Sequence, residues 1–192
     1  MAKNSRRATN PEVHRFRAIA DAYLEESHRL FPQAASALGL AEFDPELGSN
    51  DAATHQRYTA LLAETLGAVE TLPDHAFTGD DWLDRRGFLS DLRTSLHWNG
   101  PLARWRTNPQ VHCDAALDSI LLLLIRNADR LEKIQPAIES RLGKIPRFLQ
   151  EGAACLRAPV PLWTKLARQS CAGAKSFFDD VARQLADVQR GR

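Results

Sequence analysis

The sequence lacks an excess of charge of one sign, and it lacks any long apolar run. Its 192 residues include 25 basic and 24 acidic side chains, which gives a net charge of +1. A nearly neutral chain has no long-range field that would attract nucleic acid or an anionic membrane. The longest apolar run, residues 120–125, is far shorter than the roughly 20 residues needed to span a bilayer. We therefore expect no nucleic-acid partner and no membrane partner.

Cysteine is scarce, and no apolar segment follows the start of the chain. Cys113, Cys155 and Cys171 are widely spaced and form no Cys-x-x-Cys pair. This pattern predicts reduced thiols, buried as small apolar side chains. Residues 1–7 are basic, but they lack the apolar stretch that a secretory signal needs. Both observations predict a cytoplasmic protein.

What is present is the composition of a globular protein with helical periodicity. Hydrophobic residues make up 44% and charged residues 26% of the chain, proportions that argue against disorder. Apolar residues recur at steps of three and four, and no stretch alternates long enough to indicate a strand. We predict an all-α single domain, an antiparallel bundle of six or seven helices, over residues 10–188. It would lie between a disordered basic N-terminus (1–9) and a frayed C-terminus (189–192).

Several helix boundaries and one buried helix can be predicted in more detail. The expected N-terminal caps of the first three long helices are Asn10, then Ser49 or Asn50, and then Thr78. Residues 102–109 should form a loop or a short turn that contains Trp105, and residues 110–126 a central helix that is buried on nearly every side. Pro136 and Pro146 should kink or divide the helix that follows.

Histidines are present, but none has the spacing of a zinc site. The six are His14, His28, His55, His75, His97 and His112. No His-Glu-x-x-His segment, which would place two imidazoles on one helical face, occurs among them. In the cluster His112-Cys113-Asp114, adjacent helical residues point about 100° apart, so we expect no shared metal ion. Cys113 beside His112 is a weak candidate for a nucleophile.

Two further clusters have a functional and a structural interpretation. The first consists of Asp80, Asp81, Asp84, Arg85 and Arg86. A pair of carboxylates there would suit acid–base catalysis, but we favour acids that interact with a helix dipole and arginines that pair with them. The second, residues 98–106, holds two tryptophans and two arginines that would suit stacking on bases. We favour indoles that cover the core, with the arginines lying along them.

No Gly-x-Ser-x-Gly elbow, P-loop or Gly-x-Gly-x-x-Gly segment occurs in the sequence. The common signatures of serine hydrolases and nucleotide-binding proteins are therefore missing. We assign no catalytic, cofactor-binding or metal-binding residue in this chain.

The order of several segments is more informative than any one of them. They are residues 16–25 (FRAIADAYLE), Phe31-Pro32, residues 37–40 (ALGL) with Phe43-Asp44, residues 84–92 (DRRGFLSDL), Trp105 with Asn108-Pro109, Arg141-Leu142, Ile145-Pro146 and Phe148-Leu149, then Leu156 and Pro159. In this order they resemble the N-terminal half of a bacterial family catalogued as domain of unknown function 885. Residues 84–92, for example, are similar to the family's Asp-Arg-x-x-Leu-Leu-x-x-x-Leu helix. The resemblance extends over about residues 12 to 185.

Members of this family look like helical, zincin-type metallopeptidases whose zinc motif lies in the second half of much longer chains. The resemblance implies water activated by His-coordinated zinc, with a glutamate as general base, in that second half. No residue here matches those ligands or that base, so zinc is expected only in the C-terminal half, which this sequence does not contain. The chain also departs from the family at residues 165–171 (KLARQSC), where relatives tend to have an acidic residue.

Three functions follow from these patterns. The first is the helical substrate-cleft or scaffold region of a metallopeptidase-like protein, inactive alone, whose partner is a separate catalytic half or a second copy. It predicts a large uncovered apolar patch. The alternative is a stand-alone helical interaction module, which predicts a closed surface and a fully packed final helix. The third is an unrecognised enzyme that uses Cys113 or a pair of carboxylates.

Overall fold

The part of the chain that the structure describes consists of helices, turns and connecting segments. A computed structural model describes residues 10–190, with only the backbone of 188 and 189. Its helices are α1 (Pro11–Leu30), α2 (Pro32–Ala37), α3 (Ala52–Glu70), α4 (Asp80–Asn99), α5 (Arg104–Thr107), α6 (Gln110–Arg126), α7 (Leu131–Cys155) and α8 (Pro161–Arg190). No strand occurs in this range. Helix α5 is a single turn, and the other seven helices in this range have six residues or more. The predicted all-α fold is therefore confirmed.

The predicted N-terminus at 1–9 lies outside the described residues. The predicted C-terminal segment, 189–192, overlaps α8 as far as Arg190, and its last two residues also lie outside. Within residues 10–190, no helix has both the length and the apolar character that crossing a membrane requires.

Side-chain caps set the beginnings of the first two long helices. Asn10 caps α1 as predicted, since its side chain accepts a hydrogen bond from the backbone N–H two residues ahead at 3.0 Å. The cap of α3 is Asp51, whose carboxylate accepts from the backbone N–H three residues ahead at 2.8 Å. The predicted cap, Ser49 or Asn50, was therefore wrong by one or two residues. The side chain of Asn50 has other partners, described below.

One other helix boundary differs from the prediction. The residue before α4 is Gly79 rather than Thr78, and its φ of 57° suits a residue without a Cβ atom. The predicted loop or short turn at 102–109 contains the helical turn α5 with Trp105, so the second of these alternatives is confirmed. Helix α7 runs without a break through Pro136 and Pro146, both exposed, so the prediction that the prolines would divide the helix was wrong. Packing of its apolar face against α6 and α8 outweighs the cost of each proline, about 3 kcal/mol in a helix interior.

Buried apolar side chains form two clusters. The cluster built mainly from α1, α3 and α4 contains Val13, Phe16, Tyr23, Leu61, Leu62, Val69, Leu72, Phe77, Leu89 and Leu92. The cluster built mainly from α6, α7 and α8 contains Leu47, Ala116, Ile120, Leu123, Ile134, Ala137, Ile138, Ile145, Phe148, Val181 and Leu185. The two halves meet where α3 contacts α7 and where α2 packs on both α1 and α6. Polar side chains occupy part of this junction.

Helix α6 has the predicted bounds, but the prediction that it is buried on nearly every side was wrong. Ile120 and Leu123 are fully buried, whereas Leu121, Leu122 and Ile125 are 39%, 42% and 64% exposed. Helices α2, α7 and α8 pack against α6 and leave this face open in the described part of the chain. An apolar run shows which side chains would gain from burial, but it does not show whether a neighbouring helix covers them.

Candidate functional site

A single amide joins three helices at the junction of the two apolar clusters. The buried side chain of Asn50, just before α3, donates from Nδ2 to the carbonyl oxygen of Phe148 on α7 at 3.0 Å. Its Oδ1 lies 3.0 Å from Nε2 of His55 on α3 and 3.0 Å from Nδ1 of His112 on α6. We call these residues, with Trp105, the Asn50 cluster.

The hydrogen bonds of the Asn50 cluster restrict where its protons lie. Because the carbonyl of Phe148 can only accept, the amide must direct Nδ2 toward it and Oδ1 toward both imidazoles. His55 therefore carries its proton on Nε2. The second ring nitrogen of His112, Nε2, lies 2.9 Å from the carbonyl oxygen of Trp105, which is also an acceptor. A neutral imidazole has one N–H, so His112 can donate to one of its two neighbours, and only the imidazolium ion could donate to both.

Burial favours the neutral form of both imidazoles. Burial, with a smaller contribution from proximity to His112, lowers the pKa of His55 to about 4 against the effect of the Asp51 carboxylate. Burial also lowers the pKa of His112, against the effect of the Trp105 carbonyl. Both rings are therefore neutral near pH 7. Because neutral His112 has one N–H, one of its two polar contacts brings a ring nitrogen and an oxygen together with no proton between them.

Trp105 covers the cluster from α5. Its indole stacks on the ring of His55, with the centroids 5.0 Å apart and the planes 9° from parallel. Its Nε1 donates to the carbonyl of Asn99, at the end of α4, at 3.0 Å. This buried tryptophan thus links α4 to the junction.

The arginines of residues 98–106 lie along the indoles, as we favoured from the sequence. The guanidinium groups of Arg104 and Arg106 lie 4.3 Å from the ring centroids of Trp98 and Trp105, respectively. The turn that carries them starts after Ala103, whose φ of 39° is uncommon for a residue with a side chain. These contacts give the segment a packing role.

A cavity of about 230 Å³ opens beside the Asn50 cluster. Its lining combines Trp98, Arg104 and Phe31 with the two histidines of the cluster, and it contains no carboxylate among the described residues. With both imidazoles neutral and hydrogen-bonded to the protein, the arrangement offers no matched acid and base. The hydrogen bonds of the Asn50 cluster therefore support a structural role, the connection of α3, α6 and α7.

Helix α7 approaches the Asn50 cluster closely because residue 152 is a glycine. A Cβ atom at Gly152 would lie 2.7 Å from ring atoms of His112 and would also overlap the amide of Asn50. Gly143 in the same helix has open space at the equivalent position. No sequence pattern indicates this contact, since the partners are distant along the chain.

The structure separates the members of His112-Cys113-Asp114. His112 belongs to the Asn50 cluster, whereas Sγ of Cys113 lies 3.4 Å from Sγ of Cys171 on α8. Asp114 accepts a hydrogen bond from Ser170 on α8 at 3.5 Å. Between residues 10 and 190, no three His, Cys, Asp or Glu side chains converge as a metal site would require.

The three thiols differ in exposure. Cys155 is buried as predicted, Cys113 is half-buried, and Cys171 is exposed, so the prediction of three buried thiols was wrong for the last. The proximity of Cys113 and Cys171 was missed, because residues 58 positions apart carry no motif.

The cluster of acids and arginines at the start of α4 stabilises helix contacts. Asp81 pairs with Arg17 on α1 at 2.8 Å. Arg85 is buried, pairs with Asp74, and donates to the carbonyl of Leu72 beyond the end of α3 at 3.0 Å. Asp80 and Asp81 lie in the first turn of α4, as the structural interpretation required, but the ion pairs of Asp81 and Arg85 go to residues outside the cluster, so the predicted pairing of its acids with its arginines was wrong.

One face of α6 carries acids at one end and uncovered apolar side chains at the other. At steps of three and four it presents Asp114, Asp118, Leu121, Leu122 and Ile125, which we call the α6 stripe. A groove of about 220 Å³ separates its first half from α8, where Gly173 and Phe177 form part of the opposite wall. Burial, together with the neighbouring Asp114 carboxylate, raises the pKa of Asp118. The exposed apolar side chains of the α6 stripe are the part of α6 that the sequence wrongly predicted to be buried.

Comparisons with protein-family models, with curated proteins and with solved structures found no match. The resemblance to domain of unknown function 885 stays a prediction.

Proposed function

We propose that this chain is the helical scaffold or substrate-cleft region of a metallopeptidase-like protein, and that it binds the catalytic half instead of catalysing a reaction itself. The observation that carries the proposal is the α6 stripe, which leaves Leu121, Leu122 and Ile125 uncovered. Contiguous apolar surface of this kind typically marks a binding surface.

Covering the apolar half of the stripe would be favourable. Full burial of a leucine or isoleucine side chain contributes roughly 1.5 to 3 kcal/mol, and these side chains are about half exposed. Each would therefore contribute about 1 kcal/mol to an interface. Three such side chains on adjacent turns of one helix suit a helix or extended segment that lies along α6.

The acidic half of the stripe indicates the charge of the partner. Asp114 and Asp118 form no ion pair with a described residue, and the Asp114 carboxylate adds to the effect of burial in raising the pKa of Asp118. A lysine or arginine beside an apolar segment of the partner would relieve this repulsion. We propose that the catalytic half supplies such a segment, together with the zinc ligands and the general base, in the cytoplasm.

One observation favours the second candidate, a stand-alone interaction module. Helix α8 is packed against α6 and α7, with Ala167, Val181 and Leu185 buried. The final helix therefore already covers much of the second apolar cluster, and the module would need no other polypeptide to complete its core.

Binding to the catalytic half tests the proposal. We expect the same or the next reading frame to encode a His-Glu-x-x-His segment, and the polypeptide that contains it should form a 1:1 complex with this chain. The double variant Leu122→Asp/Ile125→Asp should weaken the complex at least tenfold in a titration followed by light scattering, because two apolar contacts are lost. The control is Leu83→Asp on α4, at a leucine that is 59% exposed and outside the stripe.

Three results would count against the scaffold role. Absence of such a segment, or failure of the two polypeptides to associate, would favour the stand-alone module. Stoichiometric zinc and peptide cleavage by the chain alone would exclude both binding roles.

A further inference from the structure

We propose that Cys113 and Cys171 are a redox-active pair that forms a reversible disulfide between α6 and α8, with a low-molecular-weight disulfide as co-reactant. Their sulfur atoms lie 3.4 Å apart, in direct contact, although the residues are 58 positions apart in the chain. A disulfide bond is about 2.05 Å long, so a change of little more than 1 Å between the sulfur atoms would form it.

The surroundings of the pair allow both access and movement. Cys171 is exposed on α8, so a small disulfide can reach its sulfur atom. A cavity of about 40 Å³ adjoins both cysteines, with Leu149 and Phe178 in its lining, and gives the side chains room to rotate. Cys155 cannot compete, since it is buried and its Sγ contacts the backbone carbonyl of Asn50 at 3.5 Å.

The two thiols differ in a way that assigns the order of steps. Burial, together with the contact with Cys171, raises the pKa of Cys113 to about 12. Cys113 is therefore a thiol at neutral pH, while the exposed sulfur of Cys171 is the one that solvent-borne reagents meet first.

The reaction is a pair of thiol–disulfide exchanges. The Cys171 thiolate attacks one sulfur of the small disulfide RSSR, the S–S bond breaks, and RS⁻ leaves with the electron pair. Cys113 then gives up its proton to the departing thiolate or to water and attacks Sγ of Cys171, which releases the second RS⁻. Two protein thiols are oxidised to one disulfide, one RSSR is reduced to two RSH, and excess thiol reverses both steps.

The bond would tie the final helix to the second apolar cluster. A link across 58 positions restricts the unfolded chain strongly, whereas the folded chain already has the sulfur atoms in contact. In a reducing compartment the pair would stay open, and oxidation would close it. The inference does not depend on the proposed function, because the crosslink can form whether or not a partner binds.

Oxidation of the full chain with oxidised glutathione tests the pair. We expect the number of free thiols to fall from three to one, with peptide mapping after digestion under non-reducing conditions showing the 113–171 link. The melting temperature should rise by roughly 5 to 10 °C and return to its first value after dithiothreitol is added.

Matched variants separate the pair from the third cysteine. Cys155→Ala should form the crosslink and gain the same shift as the wild type, whereas Cys113→Ala and Cys171→Ala should gain none. The inference is overturned if the wild-type chain keeps three free thiols, carries only a glutathione adduct on Cys171, or links Cys155 under these conditions.

Discussion

Single residues at the junction of the two apolar clusters perform tasks that their types alone do not reveal. Asn50 uses one amide to hold His55, His112 and the backbone of α7, so three helices depend on its orientation. Removing a partner would leave buried polar atoms without a hydrogen bond, which costs about 1 to 3 kcal/mol per group. Neutral His112 already has one ring nitrogen that faces an acceptor oxygen with no proton between them. The Asn50 cluster therefore combines a structural role with sensitivity to protonation.

The stability of the protein should fall between neutral pH and about pH 4 because of His55. In the folded chain burial lowers the pKa of His55 to about 4, whereas an unfolded chain would have a value near 6.5. The unfolded state therefore binds more protons between these values, so the stabilising effect is complete above pH 6.5 and is lost as the pH falls toward 4. Urea unfolding at a series of pH values should show a loss of roughly 2 to 4 kcal/mol in the free energy of unfolding.

Replacement of His55 isolates its contribution. His55→Gln should be less stable at pH 7 but should lose less stability on acidification than the wild type. His14→Gln, a change at an exposed position on α1, serves as the control and should follow the wild-type curve. Equal pH dependence in His55→Gln and the wild type would mean that another group controls acid unfolding.

Little of the Asn50 cluster could be predicted at this scale. The sequence contains six histidines, and nothing in their spacing distinguishes His55 and His112 from the other four. Ser49 or Asn50 was predicted as a helix cap because serine or asparagine before an apolar run commonly has that role. Asp51 caps α3 instead, and the amide of Asn50 reaches residues about 60 and 100 positions away. Contacts over such separations depend on tertiary packing.

At the scale of helices, the sequence predicted where a helix begins and ends better than it predicted which of its faces are buried. The predicted helix at 110–126 matches α6 at both ends, since turn formers and proline punctuate the chain locally. Its exposed face was missed, because an apolar composition does not report whether a neighbour covers it. In α7, Pro136 and Pro146 were expected to kink or divide a helix that packing keeps continuous.

Two glycines of α7 offer a matched comparison. Gly143→Ala should stabilise the protein by roughly 0.5 to 1 kcal/mol, because alanine loses less backbone entropy in a helix and this position has open space. Gly152→Ala should destabilise it by about 2 kcal/mol or more, because the new methyl group overlaps His112 and Asn50. Urea unfolding of both variants measures the difference.

The sign of the effect is the informative result. If Gly152→Ala also stabilised the protein, α7 could not lie as close to the Asn50 cluster as the structure places it. A Gly143→Ala variant that destabilised the protein would show instead that this part of α7 is packed.

At the scale of the whole molecule, helical periodicity was sufficient to predict an all-α fold. It was not sufficient to predict two apolar clusters or the polar junction between them, because these depend on which helices pair. The α6 stripe belongs to this scale as well. It is exposed because of where α2, α7 and α8 pack, and it carries the proposed function.

Hydrogen–deuterium exchange with and without the catalytic half tests the proposed binding surface most directly. The account predicts that amide exchange slows in the second half of α6, around Leu121, Leu122 and Ile125, while exchange in α1 is unchanged. Protection confined to other helices, or no protection at saturating concentrations of the catalytic half, would contradict it.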